Sequence, residues 1–346
     1  MARARVIVKR LIIVALMVLI VGAVSVLWKV VDALRLSRVD VASDLYVFQG
    51  FGGNSTVLLG KEGSVLIDPL HWKLGRRQQK ELAQLNMPPL KFLINTHHHL
   101  ERTENNGLFL PGPQGVASEK AVERMLSLNS AFWSQKENTS AVPSQRIPLD
   151  FKDNRDHILK LDEDFIRLIY VGRGHTDGDM VIYLPSRRVV ITGDLVYNGY
   201  YPLIDHEAGG SYLEWISALD EILRLGPQRI IPGYGPVTEP AEVKAFQGYL
   251  RDLVDEVAKM KAAGKTREQV QATLKLPVHE ERLKPIYHPV QQVELSNLKL
   301  NAGDVYDELE AGGRIPPRPS LGVDAQEGEP EDNTEDGSSA APTPKP

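Results

Sequence analysis

The stretch Thr96-His97-His98-His99-Leu100-Glu101-Arg102 holds the residues best suited to chemistry in this chain. An apolar run, Phe92-Leu93-Ile94, comes shortly before it and reads as a buried strand. In extended backbone, residues i and i+2 project to one side, so His97 and His99 share a face and His98 points away. Neutral imidazole is the commonest protein ligand for a metal ion, and two rings at one strand exit make a partial metal site. The remaining groups must come from further along. His175 lies in the glycine-rich turn Gly172–Asp179, between apolar runs at 165–171 and 180–184. Asp194 follows Val189-Val190-Ile191 in Thr192-Gly193-Asp194, and Ile231-Pro232-Gly233-Tyr234-Gly235-Pro236 ends another short strand. Polar residues thus gather at four strand exits, where α/β folds place their sites.

The elements that must position them read as one mixed α/β domain. Strand-like runs dominate up to about residue 74, and a polar helix covers Arg76 to Asn86. Leu213, Ile216, Leu219 and Leu223 give helical spacing over Tyr212 to Leu225. After Pro240 the pattern turns helical: Ala241 to Ala262, then a capping-box signature at Thr266-Arg267-Glu268-Gln269, then about Val290 to Leu309. Residues 39–240 are assigned to the catalytic domain, and 241–315 to a helical extension that packs on it and shapes one wall of a cleft. No internal repeat is visible.

In order along the chain, the four anchors resemble the metallo-β-lactamase fold superfamily. The family pattern runs Thr-His-x-His-x-Asp-His, Gly-His-Thr-x-Gly-Asp, Thr-Gly-Asp and Pro-Gly-His-Gly-Pro. Here it reads Thr96 to Arg102, Gly174-His175-Thr176-Asp177-Gly178-Asp179, Thr192-Gly193-Asp194 and Pro232-Gly233-Tyr234-Gly235-Pro236. Gly52-Gly53-Asn54 and Val65-Leu66-Ile67-Asp68 match the family's opening hairpin, with Asp68 as a support for the site. The resemblance implies a four-layer αβ/βα sandwich and a metal held by His97, His99 and His175, with Asp194 as the carboxylate shared between two ions.

The second ion's ligands depart from the pattern. Glu101 replaces aspartate, Arg102 replaces histidine, and Tyr234 replaces the last histidine. Glutamate still ligates, so Glu101 and Asp194 stay on the list of candidate ligands. Arginine has no lone pair and remains cationic, so Arg102 suits an ion pair with Asp194 or Glu101 in the vacated space. Tyr234 is a hydroxyl donor before it is a ligand. The expectation is therefore one zinc ion per chain and a hydrolase of an ester, thioester, lactone or amide in a small molecule. Asp194 or Glu101 would orient the water, and Arg102 and Tyr234 would face developing oxyanion charge. Two alternatives stay open. His97, His175 and Asp194 could form a two-histidine, one-carboxylate iron site for an oxidoreductase, or the chain could bind metal without turnover. His71, His157, His206, His279 and His288 lack ligand spacing and read as surface or packing residues. Tyr200-Tyr201 fits a cleft wall or the core equally well.

At the N-terminus, Leu11 to Trp28 is an apolar run behind Arg3, Arg5, Lys9 and Arg10. It predicts a transmembrane anchor over 11–28, with basic residues 1–10 in the cytoplasm. The catalytic domain is then on the exported, periplasmic side of the inner membrane. A cleaved signal peptide ending near Ala23-Val24-Ser25 is the competing reading. Residues 316–346, rich in proline, glycine, serine and acids, predict a disordered tail. The net charge of −5 argues against a nucleic-acid partner, and the absence of cysteine excludes disulfides and thiolate ligands.

Overall fold

Strand after strand in this chain is apolar on both sides, and the two sides go to different cores. In Ser64–Ile67, Val65 and Ile67 join an inner cluster while Leu66 joins an outer one; in Leu90–Ile94, Phe92 and Ile94 face inward and Leu93 outward. A strand of period two that is buried on both faces must lie in the middle of a layered structure. The computed structural model describes residues 34–312 apart from 72, 111, 136–137, 139, 151–152 and 288–292, together with 13, 15–22, 24, 25 and 31.

Among these residues, one sheet runs in chain order: β1 (Ser37–Ala42), β2 (Leu45–Gly50), β3 (Gly53–Leu59), β4 (Ser64–Ile67), β5 (Leu90–Ile94), β6 (Gln114–Ser118) and β7 (Gln145–Ile147). It is antiparallel from β1 to β4 and parallel from β4 to β7. A second sheet has the order β12-β11-β10-β9-β8, from β8 (Asp156–Leu161), β9 (Asp164–Ile169), β10 (Val181–Leu184), β11 (Val189–Ile191) and β12 (Arg229–Ile231), with β11 and β12 parallel. The inner faces meet through Leu45, Val65, Ile94, Leu168, Ile182 and Ile191 among others.

Helices cover the outer faces. On the first sheet lie α1 (Leu74–Gln84), α2 (Leu100–Thr103), α3 (Glu119–Leu128) and α4 (Ser130–Trp133); Leu74 and Leu82 pack on Phe48, Leu66 and Leu93. On the second lie α5 (Tyr212–Arg224) and α6 (Pro240–Ala262), followed by α7 (Arg267–Thr273), α8 (Pro277–Glu280) and α9 (Leu298–Glu310). Ser211 caps α5 by accepting from the Glu214 amide, and its buried stripe Tyr212, Trp215, Leu219 and Ile222 packs against β10 and α6. The result is an αβ/βα sandwich. The capping box at Thr266 and Gln269 is present at the start of α7.

The described residues of the region 241–315 share this outer core. Val270, Ala302 and Val305 belong to one cluster with Trp215 and Leu250. Tyr249 donates to Asn301 at 2.8 Å, and the buried Glu308 accepts from the Ser211 hydroxyl and the Tyr212 amide. α9 starts at Leu298 rather than near residue 290, because Glu294–Ser296 (β14) pairs with Ile286–Tyr287 (β13) as a two-stranded ribbon.

The N-terminal expectation is not upheld. No helix among the described residues is long and apolar enough to cross a membrane. The transmembrane anchor over 11–28, the membrane contact it implied and the inner-membrane, periplasmic placement lose their basis. Residues 1–10 and the tail at 316–346 lie outside the described residues, as does His288.

If 241–315 is part of one cooperative unit, Glu308→Ala, which leaves two donors at the start of α5 without their acceptor, lowers stability by about 1–3 kcal/mol. Denaturant unfolding should keep a single transition. A separate early transition for the C-terminal helices would show that they fold apart.

Candidate metal centre

The site forms at the carboxyl ends of parallel strands in both sheets, where open α/β sheets leave a crevice. β4 delivers Asp68, β5 delivers His97 to His99, β11 delivers Asp194 and β12 delivers Tyr234, while the β9–β10 loop delivers His175. Ligand nitrogens of His97, His99 and His175 all lie within 4.8 Å of one another. His175 Nε2 and His99 Nδ1 are 2.8 Å apart. His97 Nε2 is buried with no hydrogen-bond partner.

Each ring is aimed by an outer contact. His97 Nδ1 is 3.1 Å from the Thr96 hydroxyl, which donates to Asp68 at 2.7 Å; the Thr96 amide donates to the other Asp68 oxygen at 2.8 Å. His175 Nδ1 is 2.9 Å from the Leu203 carbonyl, and His99 Nε2 is 2.8 Å from Asp205. Asp205 in turn accepts from the Ala208 amide, while its own amide donates to the His175 carbonyl. The turn that carries His175 is closed by Asp179, which accepts from the Thr176 amide and hydroxyl.

Burial pushes His97 well below its ordinary pKa; burial and the neighbouring His99 bring His175 down to about 4. Both rings are neutral near pH 7, the form that ligates. For His99, burial works in the same direction, but the Asp205 carboxylate overrides it and raises the pKa to about 9. Near pH 7 without a metal the ring is therefore protonated on both nitrogens; Asp205 keeps the proton on Nε2, and the proton a metal would displace is the one on Nδ1, which faces His175 Nε2. Three nitrogen donors converging on one point, one of them an orphan, fit a tetrahedral metal with an open position.

Arg102 and Asp194 form the other half of the site. Arg102 is 1% exposed, and its guanidinium donates to Asp194 Oδ1 through Nη2 and, at 3.1 Å, through Nε. It also donates to the Asn54 carbonyl at 3.2 Å and the Gly233 carbonyl at 3.3 Å, and lies 5.2 Å from the Tyr234 ring centroid. Burial opposes its charge, but Asp194 outweighs that and moves its pKa further up. Gly53, at φ +106°, and Gly233 make room: a Cβ on Gly53 would overlap the guanidinium, and one on Gly233 would overlap Asp194.

Asp194 Oδ2 points the other way, 3.8 Å from His97 Nε2 and 3.7 Å from His175 Nε2, and accepts from the Tyr197 hydroxyl at 3.3 Å. Neither Asp194 nor Glu101 is in the group of atoms within 4.8 Å. Glu101 lies near His99 and His71, and His71 pairs with Glu104 at 2.7 Å. Burial opposes ionisation of Glu101, but His99 and His71 hold its pKa down to about 2. Tyr234 stacks on Tyr197 with centroids 5.0 Å apart and planes 9° apart.

Three residues escape sequence reasoning. Asp205 and Tyr197 carry no motif. His98, expected to point away, is buried, with Nε2 3.3 Å from Asp205, because residues 96–98 form bends rather than extended strand. His98, His99 and Asp205 form a second group of potential ligands that shares His99 with the first.

A sequence profile of the Metallo-beta-lactamase superfamily matches residues 49–234, a little over half of the chain, and spans every residue of this site. The chain belongs to that superfamily. It is 24% identical over 178 residues to the 2,4-dinitroanisole O-demethylase subunit alpha of Nocardioides sp. (strain JS1661), which covers 51% of this chain and 50% of that relative. It thus spans about half the length of that subunit. It is also 24% identical over 208 residues to a metallo-beta-lactamase type 2 of Bacillus sp. (strain 170), covering 57% of this chain and 73% of the relative. The sec-alkylsulfatase Pisa1 from Pseudomonas sp. superposes with a TM-score of 0.58 at 18% identity, over 79% of this chain and 50% of that one. This superposition carries the fold alone.

The buried ion pair makes a direct prediction. Removing the guanidinium in Arg102→Met leaves Asp194 Oδ1 buried without its counter-charge and costs about 3–5 kcal/mol. Arg102→Lys recovers only part, because one ammonium cannot span Asp194, Asn54 and Gly233 at once. Urea titration of the three proteins in chelator checks both.

Proposed function

We propose that this superfamily member is a hydrolase that works with one zinc ion held by His97, His99 and His175. The observation that carries the reading is the convergence of three outward-anchored imidazole nitrogens on a space bordered by a carboxylate that already holds a fixed cation. Neutral nitrogen donors suit zinc, and a zinc ion in such a site supplies a water of pKa about 7 and polarises a carbonyl.

The remaining work falls to the chain's own side chains. Asp194 is the base that orients the attacking water and takes its proton. Its Oδ1 is committed to Arg102, so Oδ2 is the single oxygen directed at the histidines. Arg102 occupies the place of a second cation, and its contacts with Asn54 and Gly233 keep it there. This is why we assign one metal rather than two. The Tyr234 hydroxyl, which has no hydrogen-bond partner among the described residues, donates to developing oxyanion charge. Glu101, held ionised beside His99 and His71, is the second candidate to orient the water. The substrate is a small molecule with an ester, thioester, lactone or amide bond. The relatives' names span a lactam, a secondary alkyl sulfate and an aromatic methyl ether, which supports bond cleavage in a small molecule and no single bond type.

Iron on His97, His175 and Asp194 is the second reading, and the 3.7 and 3.8 Å separations speak for it. Against it stands the engagement of Asp194 by Arg102, which draws the carboxylate away from a ligand's role.

Elemental analysis of the chain, purified without added metal or tag histidines, should find about one zinc per chain, lost in His97→Gln. With it should go ester hydrolysis, by at least a hundredfold. Two zinc ions, iron at full occupancy, or no metal at all would each overturn the proposal. A second test addresses the outer carboxylate. Asp205→Asn removes the negative charge that holds the His99 proton on Nε2, and should weaken zinc binding about 10–100-fold in a chelator competition, with the fold intact.

A further inference from the structure

Next to the histidine cluster is a cavity of about 360 Å³, and the chemistry of its wall is one-sided. Phe51, Tyr200, Tyr234, Pro285, Ile286 and Tyr287 line it, and no charged side chain is among the described lining residues. Its two amide side chains are already committed: Gln49 and Asn54 both donate to the Gly235 carbonyl, at 3.0 and 2.8 Å. The hydroxyls of Tyr200 and Tyr234 have no hydrogen-bond partner among the described residues, whereas Tyr287 donates to Glu294 at 2.8 Å.

Two side chains join the cavity to the site. Tyr234 lines it and carries Arg102 over its ring, and Arg102 holds the carboxylate that faces the histidines. Phe51 lines it too, with its ring 5.6 Å from that of His71. The far wall comes from the ribbon residues 285–287, tied back to the domain where the Tyr201 amide donates to the Lys284 carbonyl at 3.0 Å. Nothing in the superfamily profile, which ends at residue 234, covers that wall.

We propose that this cavity is a subsite for an uncharged aromatic group of the substrate, one bearing a hydrogen-bond acceptor. Aromatic walls engage a planar ring by offset stacking or edge-to-face contact, which an alkyl chain cannot match. The Tyr200 hydroxyl offers a donor to a carbonyl, amide or ether oxygen on that ring, and the Tyr234 ring offers its face. A carboxylate or phosphate would be desolvated there with no charged side chain on the wall to meet it, since Arg102 behind Tyr234 is already paired with Asp194, and this disfavours anionic groups. The volume lies within the range of small-molecule pockets. Calling the occupant a substrate rests on the hydrolase reading; the binding itself does not.

The test titrates the full chain, with and without zinc, against naphthamide and its charged isostere naphthoate, read by saturation-transfer NMR and calorimetry. Naphthamide should bind saturably and at least tenfold more tightly than naphthoate. Tyr287→Asp, at a half-exposed rim position, and Tyr200→Ala should each weaken naphthamide at least tenfold while metal content and thermal midpoint stay as in the parent protein. Equal binding of the two probes, no saturable binding, or full affinity in both variants overturns the subsite. Discriminating binding in a chain that hydrolyses nothing upholds the subsite and refutes the hydrolase reading. Hydrolysis without such binding does the reverse.

Discussion

The buried pair of Arg102 and Asp194 is the constraint on which the rest of the site depends. Arg102 comes from the helix after β5 and Asp194 from the turn after β11, so the pair bridges the two sheets at the rim of their shared core. Two charges out of water are tolerated only when nearly all their hydrogen-bonding capacity is used. Here the guanidinium reaches Asp194, Asn54 and Gly233, and the Tyr234 ring lies beneath it. The room for it is set by backbone: side chains at 53 and 233 would intrude on the guanidinium and the carboxylate. A glycine in the β2–β3 turn is thereby coupled to the charge balance of a centre built from other strands.

The pair also decides what the histidines face. With Oδ1 bound to Arg102, Asp194 presents Oδ2 to His97 and His175, and the Tyr197 hydroxyl keeps it there. The rings are fixed from behind by three unlike groups: the Thr96 hydroxyl backed by Asp68, the Leu203 carbonyl, and the Asp205 carboxylate. Such outer contacts choose which nitrogen keeps the proton, and so which lone pair is available inside. Segment 203–205 serves two of the rings at once, and the Asp205 amide also holds the His175 backbone. A shift of this one segment would disturb both rings together.

What could be read from the sequence follows the range of each interaction. His97, His99, His175, Asp194 and Tyr234 stand in short turns next to apolar strands, so local pattern alone locates them, and family order links them. Asp205 is 106 positions from the ring it orients, in Leu203-Ile204-Asp205-His206, where no glycine, spacing or periodicity marks it. The same holds for the start of α9. The apolar spacing near residue 290 suggests helix, but residues 294–296 are drawn into a ribbon by partners at 286–287 that periodicity cannot reveal. Tyr200 and Tyr201, equivalent in sequence, part company in space: one lines the cavity, the other is buried in the outer core. The N-terminal run is the opposite failure. Hydropathy over Leu11 to Trp28 measures composition, whereas crossing a bilayer requires a continuous helix of sufficient length, and the described residues contain none.

The changes at 101, 102 and 234 make sense as one exchange rather than three losses. An arginine in place of a histidine ligand brings a permanent charge to the carboxylate, independent of metal supply and of pH across the physiological range. That charge needs a floor, and a tyrosine ring provides one that a smaller imidazole would fill less well. The same ring stacks on Tyr197, whose hydroxyl steadies Asp194, and its other surroundings are the uncharged cavity. Tyr234 therefore links the fixed cation, the orientation of the Asp194 carboxylate and the cavity wall. Replacing it by histidine would restore a potential ligand beside a guanidinium that already occupies the space, so the second site could return only if Arg102 were displaced as well.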